Sequence, residues 1–226
     1  MKILFTIFSI FLFSCFFSQN NDIKSFNLNE FNKLSQKSCY QDCEVETFGN
    51  KNYITFKRND SVIDMSYHAG LSNITKRLGN YYVTYDFHPN LKIKSKKEFI
   101  SAISRMGTIQ VGKEVNYDEN GEVKDEFDYD TIPYDDKTPG PKRKVWEILK
   151  NLKQDFGFDA LLDKNLFSII VFQDEKTKKI NYSISKFIND NNNILKTKIY
   201  IYEGDTAKNL KTYDNEWEIP DGLRHY

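Results

Sequence analysis

The chain has 226 residues, enough for one large domain or two small ones with a buried core. Lys and Arg together number 32, as do Asp and Glu, so no net charge recruits nucleic acid or an anionic membrane. Charged residues at 28% and aromatic residues at 15% exclude disordered, collagen-like and coiled-coil chains, and favour a β-rich globular protein.

The first 18 residues have the three parts of a secretory signal peptide. Lys2 is the positive n-region, residues 3–13 are a mostly apolar run, and small residues follow. The run is shorter than the roughly 20 apolar residues of a membrane-spanning helix, and no later segment approaches that length. This pattern predicts an exported protein, periplasmic or secreted, with no transmembrane span.

The end of this signal has two interpretations. Leu12-Phe13-Ser14-Cys15 resembles a lipobox, in which Cys15 would be lipidated and would anchor an outer-membrane lipoprotein. Cleavage after Ser18 would instead release a soluble protein that begins at Gln19. The bulky Phe13, two residues before the cysteine, favours the soluble form.

Cys39 and Cys43 are the two cysteines outside this signal. An even number in an oxidising compartment predicts a disulfide, and the short loop between them would staple a single turn. The spacing differs from that of a redox CxxC centre, and a zinc site would need two further ligands. We therefore expect no metal ion and no cofactor.

The predicted elements begin with a short helix, for which Leu28, Phe31 and Leu34 have the spacing. Strands with alternating apolar residues follow at 52–57, 61–67 and 81–87. The clearest hairpin covers 113–129, because Asn120-Gly121 is the strongest signal for a type I′ turn.

A Pro- and Gly-rich linker at 133–141 separates this β-rich, repeat-like region (19–132) from a second unit (142–226). The second unit begins with an amphipathic helix at about 142–156, with Pro141 in its first turn and Gly157 as its cap. Val145, Ile148, Leu149, Leu152 and Phe156 form its apolar face. Three strands then complete a small antiparallel sheet on which the helix packs. The expected fold class is α+β, built mostly of antiparallel hairpins.

Residues 87–99 align with residues 117–129 at an offset of 30. The second copy, Tyr117-Asp118-Glu119-Asn120-Gly121-Glu122-Val123-Lys124, resembles the variant MORN repeat of exported Gram-negative proteins. In the first copy, Leu91 stands where that motif has Gly. The resemblance covers about residues 85–130 and implies one hairpin per repeat, with neighbouring hairpins stacked into an extended sheet that serves as a scaffold. It assigns no catalytic or binding residue.

The segment 118–136 contains nine acidic residues and one Lys. Calcium is one hypothesis, but the spacing does not fit an EF-hand loop. We favour a solvated hairpin edge whose charges prevent edge-to-edge pairing. The basic residues that follow either pair with it or cover the solvent face of the helix. The candidate interaction patch consists of Asp118, Glu119, Glu122, Asp125, Glu126, Asp128 and Asp130.

No nucleophile elbow, H-E-x-x-H motif or Gly-rich phosphate loop occurs, so the sequence gives no catalytic residue. We therefore expect a protein-binding or scaffolding module of the cell envelope, whose partner would be another envelope protein. The first alternative is an immunity-type inhibitor that uses the acidic patch against a toxin in the same compartment. The second is an enzyme in which distant carboxylates converge.

Overall fold

The computed structural model describes residues 23–35, 43–48, 51–104, 107–131, 133–191 and 194–218. Most of these residues lie in antiparallel strands, which form one eight-stranded and one four-stranded sheet. Two α-helices and a short 3-10 helix (Tyr129–Thr131) accompany the sheets in the described part of the chain. The mostly antiparallel strands that the sequence predicts are therefore present, together with two helices.

The larger sheet is a meander in which every strand pairs with the next one in the chain. Its strands are β1 (Cys43–Phe48), β2 (Lys51–Arg58), β3 (Ser61–His68), β4 (Leu71–Leu78), β5 (Tyr81–Phe87), β6 (Ile93–Ile100), β7 (Ile109–Tyr117) and β8 (Val123–Asp128). The β3–β4 turn has positive φ at both Ala69 and Gly70, the requirement of a type I′ turn.

The turn at Asn120-Gly121 is not the type I′ turn that its sequence predicts. Gly121 has a φ of +83°, whereas Asn120 is not in the positive-φ region. The Gly121 N–H donates to the Asp118 carbonyl and the Asp118 N–H to the Glu122 carbonyl, both at 2.9 Å. The β7–β8 register also shifts after Asn116. This pattern is a three-residue loop closed by a bulge, in which only the last residue must be left-handed.

The β5–β6 turn has the same pattern of hydrogen bonds. The Leu91 N–H donates to the His88 carbonyl at 2.8 Å and the His88 N–H to the Lys92 carbonyl at 2.9 Å. Leu91 has a φ of +67°, so it occupies the left-handed position that Gly121 has in the next hairpin. A left-handed Leu costs about 1–2 kcal/mol. Its side chain offsets that cost by packing against the apolar cluster beneath the first helix.

The smaller sheet contains four strands after the second helix, where the sequence predicts three. They are β9 (Leu166–Gln173), β10 (Ile180–Asn191), β11 (Ile194–Glu203) and β12 (Asn209–Glu218), in the spatial order β12-β11-β10-β9. The strand that was not predicted, β12, lies at an edge of the sheet. None of its residues from 209 to 216 is buried. It therefore lacks the alternation of apolar residues by which a half-buried strand is identified.

Helix α1 (Leu28–Ser35) covers one end of the larger sheet. The Asn27 side chain accepts the Glu30 N–H at 3.0 Å and so caps the helix. Phe31 is fully buried, with its ring 5.6 Å from that of Phe26 and 6.1 Å from that of Tyr67. The helix thus closes a core over strands β2 to β6.

Helix α2 (Val145–Phe156) starts three residues later than the sequence predicts. Lys144 is extended, and the Arg143 N–H donates to the Gly204 carbonyl at 2.8 Å, so the residues after Pro141 bind the smaller sheet before the helix begins. Gly157 ends the helix with a φ of +68°, as expected. Phe156 is 43% exposed and does not belong to the buried face.

The core under α2 is shared by both sheets. Ile148 and Leu152 of the helix pack with Ile184 and Tyr202 of the smaller sheet, and with Ile100 of the larger one. The face of the larger sheet that carries Ile100 also packs against α1, and we call it the inner face.

Candidate functional site

The opposite face of the larger sheet, which we call the outer face, is covered by no other element in the part of the chain that the structure describes. Because side chains alternate along a strand, Thr55 of β2, Asp64 of β3 and Thr84 of β5 point to this side. An antiparallel sheet with one core face and one solvated face has this pattern.

Polar side chains on the outer face bond to one another across the strands. The Thr55 hydroxyl donates to Asp64 Oδ1 at 2.8 Å. The Asn73 amide donates to Asp86 Oδ1 at 2.8 Å, and the Ser95 hydroxyl donates to Asp86 Oδ2 at 2.9 Å. Asp64 and Ser95 are buried among these neighbours. These hydrogen bonds replace the hydration that the polar side chains lose on burial, and they hold this part of the surface in one arrangement.

Aromatic side chains concentrate at one corner of the outer face. The rings of Tyr82 and Phe99, on neighbouring strands, stack with centroids 5.0 Å apart. The Arg77 guanidinium lies 5.6 Å from the centroid of Tyr82. Phe127, 51% exposed, and Tyr129 meet edge to face at 5.0 Å. We call these five residues the aromatic corner.

Glu114 lies opposite Phe127 in the β7–β8 register, beside the second pair of rings in the aromatic corner. It accepts the Tyr129 hydroxyl at 3.1 Å and the Gln110 amide at 3.0 Å, and its second oxygen lies 3.5 Å from Lys97 Nζ. Burial raises the pKa of Glu114, but these donors and the ammonium outweigh it and bring the pKa below its usual value. Burial and the bond to Glu114 raise the pKa of Tyr129. The corner therefore offers a fixed carboxylate and neutral phenols beside the exposed ring of Phe127.

A shallow cleft of about 330 Å³ lies elsewhere along β3–β6. Its polar lining consists of Ser66, His68, Ser72, Asn73, Asp86 and Lys94. Asp86 is the single carboxylate among these described lining residues, and it is bonded to Asn73 and Ser95. The lining therefore does not bring together two carboxylates of the kind expected for the enzyme alternative. Across the described residues, no group of three or more His, Cys, Asp or Glu is placed to hold a metal ion.

The acidic patch predicted from the sequence lies on the turn and edge of the β7–β8 hairpin. Asp118 accepts the N–H groups of Asn120 and Glu122 within the turn. Asp125 accepts the Asn116 amide at 2.7 Å. The remaining members include Glu119 and Glu122 in the exposed turn.

Of the basic residues that follow the patch, Lys144 pairs with it, whereas Lys142, Arg143 and Lys153 pair with other acidic residues. Lys113 lies 2.7 Å from Glu126 on the neighbouring strand. Lys144, just before α2, lies 3.3 Å from Asp130 and 3.7 Å from Asp128. Asp130 also accepts the Gly112 N–H at 3.1 Å. Five of the seven carboxylates of the patch, those of Asp118, Asp125, Glu126, Asp128 and Asp130, thus have partners within the chain.

The cysteine predictions fall mostly outside the described residues. Cys15 and Cys39 are not among them, and Cys43 is known only as the first residue of β1. The disulfide and the lipid anchor stay predictions. Within the described residues, no helix is both long and apolar enough to cross a membrane.

Comparisons of the chain with protein-family models, with curated proteins and with solved structures found no match. Tyr82 lies in the strand that the sequence predicts at 81–87 and is on its outer side. The sequence did not indicate Arg77, Phe99 or Glu114. Strand register brings Arg77 and Phe99 into the aromatic corner and Glu114 beside it, and the local pattern of each strand does not specify that register.

Proposed function

We propose that the chain is an exported protein-binding or scaffolding module of the cell envelope, with the aromatic corner as its contact surface. The observation that carries this proposal is the group of Tyr, Phe and Arg side chains on an uncovered sheet face, of which Arg77 and Phe127 are exposed and the others half-buried. Aromatic residues and Arg are enriched at protein interfaces, where they supply much of the binding energy. The bonds of Glu114 hold the surface in place, which lowers the entropy cost of binding.

The two similar hairpins support a scaffold of the variant MORN type. Both turns have the same hydrogen bonds, and the register shifts after Asp86 in one and after Asn116 in the other. In this proposal the meander is the scaffold, and α2 with the smaller sheet forms a second unit after the linker at 133–141. The N-terminal segment directs export, and the mature chain is periplasmic or secreted, or is anchored to the outer membrane through Cys15.

A photo-cross-linking amino acid at Phe127 tests the contact surface. The control site is Leu162, which is 61% exposed and lies outside the larger sheet. In envelopes of expressing cells we expect one adduct of defined mass from position 127 and none from position 162. Adding Tyr82→Ala to the chain that carries the cross-linking amino acid at position 127 should abolish that adduct. Circular dichroism should show that this variant is folded. The same adducts from both sites, or none from position 127, would refute the proposal.

The immunity-type inhibitor is a second candidate because the acidic edge strand is accessible. Every residue of β8 from Val123 to Phe127 is exposed. Charge reversal of Asp125, Glu126 and Asp128 should then abolish binding to a basic partner, and the affinity of the wild-type chain should fall steeply with salt. Binding that is insensitive to salt would exclude this candidate.

A further inference from the structure

The last strand of the larger sheet, β8, is paired on one side only. Its single partner in the described part of the chain is β7. Every residue from Val123 to Phe127 is exposed, and no backbone hydrogen bond from another described segment reaches this stretch. Unpaired N–H and C=O groups on an exposed edge strand are a template for pairing with another extended chain. β8 presents such a template to solvent.

The alternation of backbone bonds shows which groups of β8 point outward. The Asp118 N–H donates to the Glu122 carbonyl at 2.9 Å, so the backbone of Asp118 faces the β8 side of the hairpin. Alternate residues of an antiparallel strand face the same neighbour, so Glu114 also faces β8. Its partner in the register is Phe127, which therefore faces β7. The N–H and C=O of Glu126, one residue earlier, thus point away from the sheet.

The hairpin formed by β7 and β8 is strongly acidic. Residues 109–128 contain seven acidic residues and two Lys, a net charge of −5 in a chain whose total is zero. The hairpin of β11 and β12, residues 194–218, contains five acidic residues and four Lys, a net charge of only −1. Glu126 lies 2.7 Å from Lys113 in an exposed ion pair, which holds the carboxylate weakly. The β8 edge therefore repels a second copy of itself and attracts a basic segment.

We propose that β8 binds a basic, extended segment of a partner protein, which pairs antiparallel with it as a ninth strand of the larger sheet. Glu126 exchanges two backbone hydrogen bonds with the partner residue opposite it. That residue is Lys or Arg, as is the residue opposite Asp125.

The residue opposite Phe127 is apolar, because it packs beside a ring that is 51% exposed. This inference rests on the proposed function, since Phe127 belongs to the aromatic corner, and it adds the chemistry of the partner.

A peptide of the sequence Thr-Lys-Val-Lys-Lys-Thr, blocked at both ends, tests the proposal with the purified protein. In the proposed register its Val lies opposite Phe127 and its second Lys opposite Glu126. Glu126→Pro removes the outward N–H at a site where an edge strand tolerates proline, and it should raise the dissociation constant at least about tenfold. Glu126→Gln keeps that N–H and removes only an exposed charge, so the increase should stay below about fivefold. Thermal unfolding establishes that both variants are folded.

Two N-methylated peptides separate strand pairing from charge attraction, and they require no variant of the protein. A methyl on the backbone nitrogen of the second Lys removes the N–H that donates to the Glu126 carbonyl, and it should abolish binding. The third Lys, opposite Asp125, directs its N–H to solvent, so the same methyl there should change the affinity by less than about twofold.

Three results would overturn the proposal: no binding of the basic peptide at about 1 mM, equal binding of a peptide with Glu in place of each Lys, or equal affinities of the two N-methylated peptides. These assays are independent of the envelope cross-link at Phe127. An adduct there without peptide binding would reject strand addition and keep the contact surface. Peptide binding without an adduct would support strand addition and reject the envelope partner.

Discussion

At the scale of single residues, Asp118 closes the turn of the β7–β8 hairpin with its carboxylate. One oxygen accepts the Asn120 N–H at 2.8 Å and the Glu122 N–H at 2.9 Å. The Glu122 N–H contributes most to lowering the pKa of Asp118, and together with Asn120 it outweighs the effect of desolvation. The ionised carboxylate is therefore the form that the turn favours.

This lowered pKa predicts a pH dependence of stability. Since the folded-state pKa lies below the usual 3.8, the stabilising contribution is complete above pH 3.8 and is lost as the pH falls through the folded-state value. Asp118→Asn keeps an acceptor oxygen but does not titrate. We expect the difference in urea midpoint between wild type and variant to shrink as the pH falls below 3.8.

The exposed Asp136→Asn, outside this turn, is the control for general charge effects. A difference between wild type and Asp118→Asn that stays constant down to pH 2 would contradict the assigned role of the carboxylate.

At the scale of the elements, a substitution in the β7–β8 turn measures the effect of backbone strain on stability in the absence of steric crowding. Gly121 has a φ of +83°, and an added Cβ would meet its nearest neighbour, Lys92 Cδ, at 3.9 Å. Gly121→Ala therefore introduces strain without a clash, and we expect a loss of about 1 kcal/mol in the free energy of unfolding. Gly121→Asn should lose less, because Asn tolerates the left-handed region. Chemical denaturation measures both values, and equal losses for Ala and Asn would be inconsistent with strain.

Elements with one apolar face could be predicted from the sequence. The strand expected at 81–87 is β5 (Tyr81–Phe87), whose Val83, Tyr85 and Phe87 are buried on one side. The apolar positions of α2 were likewise identified, although Phe156 is exposed. Strand β12 was missed because none of its residues from 209 to 216 is buried, so no apolar period of two marks this part of the strand.

The geometry of the turns and the candidate site could not be predicted from the sequence, because the local pattern of residues does not contain the information that determines them. Leu91 adopts a left-handed φ that its residue type does not favour, because its side chain packs against the core. The aromatic corner joins Arg77 and Tyr82 to Phe99, which lies on the next strand at a position fixed by register. Propensity and periodicity place residues on a face, but they do not specify which strand positions are opposite each other.

At the scale of the whole molecule, the β4–β5 turn binds the loop between α2 and β9. The Asn80 N–H donates to the Leu161 carbonyl at 2.7 Å. The Asn80 side chain donates to the carbonyls of Ala160 at 2.8 Å and Asp163 at 2.7 Å. Next to it, a Cβ on Gly79 would lie 2.3 Å from the Leu161 oxygen, so the turn and the loop are in close contact.

This contact predicts that the two sheets unfold together. Asn80→Ala leaves two partly buried carbonyls without their donor, and we expect a loss of about 1–3 kcal/mol in the free energy of unfolding. Asn90→Ala is the matched control: it removes an amide that donates to the Glu119 carbonyl between two exposed hairpin turns, and it should cost less.

Calorimetry of the wild type should give one transition, because the core under α2 contains residues of both sheets. Two resolved transitions in the wild type, or equal losses for the two variants, would show that the sheets are stabilised independently.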